Sequence, residues 1–352
     1  MIVGIGGQAS IGRTMPALSA AVRGAINVFG ESKTLIRRSS GEPAVVARLV
    51  TLPADGSVAS RMMTMALAAA GEALEPWTTA LDNLGQPGPP LPVLLAMPSA
   101  RPGLEVDAIR RLAREILPAL SVHPDQSRSG IFPLGHAGGL VALARALQLI
   151  QEDAASICLV GGIDTYLDIE TIQGIDAYGR LKGESRPNGL IPGEGAGFIL
   201  VASREYAERK GLIPLAEVVA CSAEVEPQPW YSDKPTLGEG LTRALQALFD
   251  SEWLRDSRAD VTYCDLNGES WRVDEWVYAY LRTGKRHGEP LDLRHPAACW
   301  GDVGAASGTL LSGLAAFELA RQDSMQTMLV WTASDTGPYR TACVLRSQEG
   351  GA

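Results

Sequence analysis

The segment best suited to chemistry in this chain is GHAGGLVALARALQLIQ at 135–151, where small residues turn straight into an apolar helix. Gly135–Gly138 therefore lies at a helix N-terminus, where free backbone N–H groups and the positive dipole end stabilise a nucleophile or an oxyanion. The side chain presented there is His136. With an ordinary pKa of about 6.5, it serves as a base, as an acyl acceptor, or as a packed, hydrogen-bonded ring. The packed role is the expectation at a buried helix start. ICLVGGIDTY at 157–166 and RPNGLIPGEGAGFILVAS at 186–203 follow, with glycines where backbone must turn beside a strand and Glu194 between two of them. GEGAG is not a phosphate loop, so Glu194 is read as holding a turn rather than as an acid.

The elements that must position these residues follow an alternating pattern. Apolar runs bounded by glycine, at IVGI near the start, VLLAM at 93–97, ICLVGG at 157–162 and GFILVA at 197–202, read as strands. Helical spacing runs through Ala17–Val28, Val58–Leu74, Ile109–Leu120 and Leu140–Ile150. The same grammar recurs with strands at 215–223 and 261–268, helices Leu241–Phe249 and Ala305–Leu319, and the late strands MLVWTAS and ACVLR. This is an α/β layered chain of two similar halves, 1–210 and 211–352. The Pro- and Gly-rich stretches Gln86–Pro92 and Glu224–Pro235 read as surface loops.

With 352 residues, 46% of them hydrophobic, the chain can bury a sizeable core. Its net charge of -9, and basic runs no longer than Arg37–Arg38 or Arg110–Arg111, disfavour nucleic acid as a partner. No apolar segment approaches the roughly 18 residues a membrane span needs, and no leader pattern opens the chain. Cys158, Cys221, Cys264, Cys299 and Cys343 are scattered without CxxC spacing, as expected of free thiols in a reducing cytoplasm. Buried strand positions for Cys158 and Cys343, and sites away from a helix start for Cys264 and Cys299, argue against a reactive thiol. No cofactor and no metal is expected. The aromatics of QPWYSD and ESWRVDEWVYAYL fit either a ligand groove or an interface, with the interface preferred.

Taken in order and at this spacing, GHAGGL, the GG-acidic strand end and GEGAG resemble the β-ketoacyl synthase family, with its helix-starting Ala-Cys-x-Ser-Gly-Leu and its DGF-x-x-GEGAG. The likeness continues through SREYAERKGLIPLAEVVA at 203–220 and, with MIVGIGGQASIG, spans nearly the whole chain. It implies a thiolase-like fold, two similar halves in a five-layered α/β/α/β/α architecture. It also implies a homodimer built on an edge strand near ICLVGG, with Glu194 holding its turn close by.

Family catalysis uses a cysteine nucleophile and two polar partners. On this resemblance, His136 stands at the nucleophile and Gly138 where a small polar residue is usual. Asn267-Gly268-Glu269, in DLNGESWRVDEW, stands at the first partner histidine, and Asp302, in WGDVGAASG, stands at the second partner. SDTGPYRTACVL at 334–345 replaces the gating loop without its phenylalanine or second glycine. An acid at Asp302 would repel a developing enolate, although His136, Asn267 and Asp302 also compose an acid–base unit if they converge.

The expected function is therefore a non-catalytic synthase homologue acting as a scaffold or accessory protein. Val22–Ile26 and Gly41–Arg48 resemble accessory components encoded beside bacterial type VI secretion effectors. The alternative is an acyl-thioester processing enzyme or a chain-length-factor-like subunit, with acyl carrier protein or acyl-CoA as partner. An open channel to His136 favours an enzyme, and a pocket filled with side chains favours a scaffold.

Overall fold

The computed structural model describes residues 1–53, 55–184, 186–255 and 257–348. Among the described residues, twelve strands follow one another as β1 (Ile2–Ala9), β2 (Gly30–Ile36), β3 (Pro43–Val46), β4 (Val93–Ala96), β5 (Gly130–Phe132), β6 (Ile157–Thr165), β7 (Glu194–Ala202), β8 (Glu217–Val225), β9 (Ala259–Cys264), β10 (His287–Arg294), β11 (Thr327–Ala333) and β12 (Tyr339–Arg346). One five-stranded sheet has the order β1-β7-β6-β4-β5, a second has β10-β9-β11-β12-β8, and β2 and β3 form a separate ribbon.

Three apolar clusters separate the layers. Helices Val58–Leu84 and Val106–Ala119 cover the outer face of the first sheet. Helices Gly138–Gln151 and Ser307–Leu319 lie between the two sheets and bury Val160, Ile199, Val330 and Leu345 from either side. Helices Glu239–Phe249 and Ser270–Thr283 cover the outer face of the second sheet over Leu329, Trp331 and Val344. The result is the five-layered α/β/α/β/α thiolase-like fold. The side chains of the helix Ser307–Leu319 are apolar nearly all round, as a helix sandwiched between two sheets requires.

Local chemistry moves several boundaries. The helix expected over Ala17–Val28 runs instead from Met15 to Arg23, because Gly24 and the positive φ of Ala25 (50°) unwind its end. The helix expected to end at Leu74 continues to Leu84 through Pro76, since Trp77 and Leu81 extend its buried stripe and Gly85 supplies the left-handed cap. Its backbone lies directly on β1, where a Cβ at Gly4 or Gly6 would come within 2.0 Å of Ala73 O or Ala69 O. The segment DLNG at 265–268 leaves β9 after Cys264 and turns.

The segment ICLVGG, near which an edge strand is expected, is not itself at the edge. This segment is β6, bonded on one side to β7 and on the other to β4, so it offers no free edge. The outer strands of this sheet are β1 and the three-residue β5. Among the described residues, no helix is long and apolar enough to cross a membrane.

Candidate functional site

His136 is placed by a tight entry turn. Gly135 takes a positive φ of 57°, a 3-10 turn spans Gly135–Ala137, and the helix Gly138–Gln151 follows directly. The second half repeats the device with Gly304 at φ 49°, a 3-10 turn over Gly304–Ala306 and the helix Ser307–Leu319. The two helices touch through glycine: a Cβ on Gly139 would sit 3.0 Å from Thr309 N, and one on Gly308 would sit 3.0 Å from Leu140 N. This close approach brings His136 and Asp302, one at each turn, into contact.

His136 Nε2 lies 2.8 Å from Asp302 Oδ1, which also accepts the Gly304 N–H at 2.8 Å. The other oxygen, Asp302 Oδ2, accepts from Asn267 Nδ2 at 2.6 Å, and the same amide reaches Glu269 Oε2 at 3.0 Å. The three residues singled out from the sequence therefore form one chain with Asp302 at its centre; Asn267 reaches His136 through Asp302.

Around this chain stand charged groups that sequence reasoning did not assign. Arg272 donates to Asp265 Oδ2 at 2.9 Å and to Ala333 O at 2.6 Å, and it places Nη2 3.2 Å from His136 Nε2. Arg180 binds Glu269 at 2.6 Å and Asp335 at 3.0 Å. Asp335 in turn lies 3.5 Å from His136 Nδ1, too far for a hydrogen bond but close enough for attraction. Arg101 binds Asp164 at 2.7 Å, and Asp164 accepts the Ala305 N–H. A local signal existed for three of these groups: Arg272 lies one turn beyond Glu269 in DLNGESWR, Asp335 sits in the segment matched to the gating loop, and Asp164 is the acid of the GG-acidic strand end. Arg101 and Arg180 carried none.

Burial alone would lower the His136 pKa, but Asp302 and Asp335 overcome it and raise it to about 10. Asp302 is held well below the usual carboxylate range: burial opposes ionisation and the attraction of His136 and Arg272 outweighs it. Arg180 and His136 hold Asp335 down against burial in the same way. At neutral pH the ring is an imidazolium that donates Nε2–H to Asp302. Arg272 Nη2 therefore faces a second donor, a repulsion offset by the carboxylates on either side. Both ring nitrogens carry protons, so His136 has no lone pair for attack or proton abstraction.

The His136 side chain is buried, with 1% of its surface exposed. Beside Asp302, a slot of ≈ 10 Å³ lined by Asp265, Asn267 and Ser307 has room for about one water. A groove of ≈ 370 Å³, lined by Arg101, Tyr166, Tyr178, Arg180, Trp230 and Tyr231, opens from the surface to Asp335. Trp230 anchors its wall by donating to Asp335 O at 2.7 Å, beneath the stacked Arg180 guanidinium. The aromatics of the two singled-out segments thus divide: Trp230 and Tyr231 line the groove, whereas Trp276 stacks on Trp331 in the core.

Burial raises the thiol pKa of Cys264 and Cys299, leaving no thiolate near the site. Glu194 is fully buried and engaged by Arg61, by Leu49 N at 2.7 Å and by Thr165 Oγ1 at 3.0 Å, a bracing role. Among the described residues, no group of three or more His, Cys, Asp or Glu is arranged to hold a metal ion.

Residues 136–207 match the family model "Beta-ketoacyl synthase, N-terminal domain". The 3-oxoacyl-[acyl-carrier-protein] synthase 2 of Staphylococcus aureus is 27% identical over 150 residues, 40% of this chain and 36% of that protein. The oxytetracycline polyketide putative beta-ketoacyl synthase 1 of Streptomyces rimosus is 24% identical over 162 residues, 42% of this chain and 37% of that protein. The chain thus spans little more than a third of the curated relatives it matches. Solved structures with the same fold include a type II PKS acyl-carrier protein in complex with its ketosynthase bound to the hexaketide, with TM-score 0.76, 16% identity, and coverage of 99% of this chain and 98% of that one. Another is the ishigamide ketosynthase/chain length factor, with TM-score 0.69, 18% identity and 98% coverage of both chains. The chain has the thiolase-like fold of these ketosynthases, and over residues 136–207 it is similar to the N-terminal domain of the β-ketoacyl synthases.

Proposed function

We propose that this chain is a catalytically silent β-ketoacyl synthase homologue that acts as a scaffold or accessory protein, with His136, Asn267 and Asp302 at the family's three catalytic positions. One observation carries the reading. The helix start that would present a nucleophile holds a buried histidine 2.8 Å from the Asp302 carboxylate, with Asp335 and Arg272 packed beside it, surroundings that favour the protonated ring. A cation without a lone pair neither attacks a thioester nor accepts a proton, and the Asp302 carboxylate repels an enolate.

The protein works in the cytoplasm as a homodimer or beside a protein partner. The likeness of Val22–Ile26 and Gly41–Arg48 to components encoded beside type VI secretion effectors makes such an effector the first partner to test. Intact-mass spectrometry after incubation with malonyl- and acyl-thioesters, with thioester loss followed in parallel, tests the catalytic side. Unchanged mass and no turnover are expected for the native chain and for His136→Ala alike. A covalent adduct, or turnover that His136→Ala abolishes, would overturn the reading.

A second reading is favoured by the groove beside Asp335, which retains ≈ 370 Å³ between Tyr178, Trp230 and Tyr231. A chain-length-factor-like subunit would use such a space while an active synthase supplied the nucleophile. Mixing the chain with a ketosynthase and measuring the mass of the complex by light scattering separates the two. A stable one-to-one heterodimer supports the subunit, and a homodimer that does not exchange supports the scaffold.

A further inference from the structure

Away from the His136 site, a hollow of ≈ 570 Å³ opens where the ends of two helices meet the edge of the second sheet. Its walls combine apolar surface from Val22, Leu293 and Phe317 with the guanidinium groups of Arg23, Arg294 and Arg321. Arg294 is neutralised by Asp292 and Glu318, at 2.8 and 2.5 Å. Arg23 and Arg321 are different: among the described residues neither makes an ion pair, although the chain as a whole is acidic at -9.

Few helix carbonyls are left for this pair of cations to complement. At the end of the first helix, the carbonyls of Ala20, Ala21 and Val22 are taken by the backbone N–H groups of Gly24, Ile26 and Ala25. At the end of the second, Ala316, Glu318 and Leu319 are taken by those of Ala320, Arg321 and Gln322. Arg321 is held in place without a counter-charge, its guanidinium 3.7 Å over the Phe317 ring. A second observation points inward. Ser19 also lines the hollow, is 1% exposed, and its hydroxyl has no hydrogen-bond partner. A buried hydroxyl left unpaired costs free energy that an entering polar group would recover.

We infer that this hollow binds a small amphipathic organic anion, its acidic group between Arg23 and Arg321 and its apolar body against Val22, Leu293 and Phe317. The size suits one small molecule. The Cys299 thiol at its wall is kept protonated by burial, so binding is non-covalent.

Fluorescence titration of the full chain with 8-anilinonaphthalene-1-sulfonate tests this, with neutral N-phenyl-1-naphthylamine as the uncharged control and decanoate or decanol as competitor. One sulfonate per chain is expected, displaced by decanoate and not by decanol. Replacing both Arg23 and Arg321 by Gln should weaken binding by at least roughly tenfold, because charge-assisted hydrogen bonds are lost. Both side chains are surface groups, so the variant should melt at the native temperature. Ser19→Ala, which removes the hydroxyl and adds no bulk, should weaken sulfonate binding less than the arginine replacement does. Equal binding of the charged and neutral probes, or native affinity in the arginine variant, would overturn the inference.

Discussion

At His136 the deciding quantity is charge. Enclosed by Asp302 and Asp335, the ring is more stable protonated than free imidazole, with its pKa raised to about 10. Removing the cation leaves the buried Asp302 charge to its neutral donors and the more distant Arg272, and breaking a buried ion pair in this way costs roughly 3–5 kcal/mol. His136→Gln is therefore expected to lower stability by about that much in urea denaturation. Because the folded pKa lies above the unfolded value of about 6.5, the ring's contribution is complete below that pH and disappears as pH rises through about 10. The stability gap between native chain and His136→Gln should therefore be wide at pH 7 and close towards pH 10.5; a constant gap would mean that His136 is neutral. On the acid side the sign reverses. Asp302 and Asp335 have depressed values, so their contribution is present above the ordinary carboxylate pKa and is lost as pH falls below it.

The elements set how near these residues come. The central helices approach closely enough to join the turns at Gly135 and Gly304 only because Gly139 faces Gly308. Gly139→Val is expected to force them apart and cost at least about 1–3 kcal/mol, read as a lowered melting temperature with the β-sheet signal retained. Gly304 is held more tightly: its φ is 49° and a Cβ would lie 2.0 Å from Asp164 Oδ2. Gly304→Ala should displace Asp164 and release Arg101, a larger loss of stability than Gly139→Ala in the same melt. The glycines of GHAGG were legible as a turn from residue type, and GAASG as the start of a helix. Their facing one another was not, because each motif specifies only its own helix start.

For the molecule as a whole, the central apolar layer belongs to both halves. Leu140, Leu143, Val160 and Ile199 from the first meet Leu310, Leu314, Val330 and Leu345 from the second. Fragments 1–210 and 211–352 should therefore remain unfolded when expressed separately, since each would leave this face in water. Circular dichroism of the two fragments, alone and mixed, checks this: native-like spectra from either fragment alone would make the halves independent domains.

What the sequence determined by itself was what depends on neighbours in the chain. Period-two and period-3.6 apolar patterns, glycine turns and helix caps act over a few residues, so the alternating elements, the two similar halves and the helix start at His136 were all readable. Helix ends shifted where Pro76 was tolerated or Gly24 intervened. The rank of a strand within its sheet lay beyond such patterns: β6 is apolar whether it sits at an edge or inside, and only pairing with β4 and β7 put it inside. The tertiary structure alone decided the chemistry of the site. His136 and Asp302 lie 166 positions apart, and Arg180 and Asp335 lie 155 apart. Charge–charge energies in a buried site depend on distances of a few ångströms between such remote groups, so the protonation of His136 was fixed when the two halves closed around it.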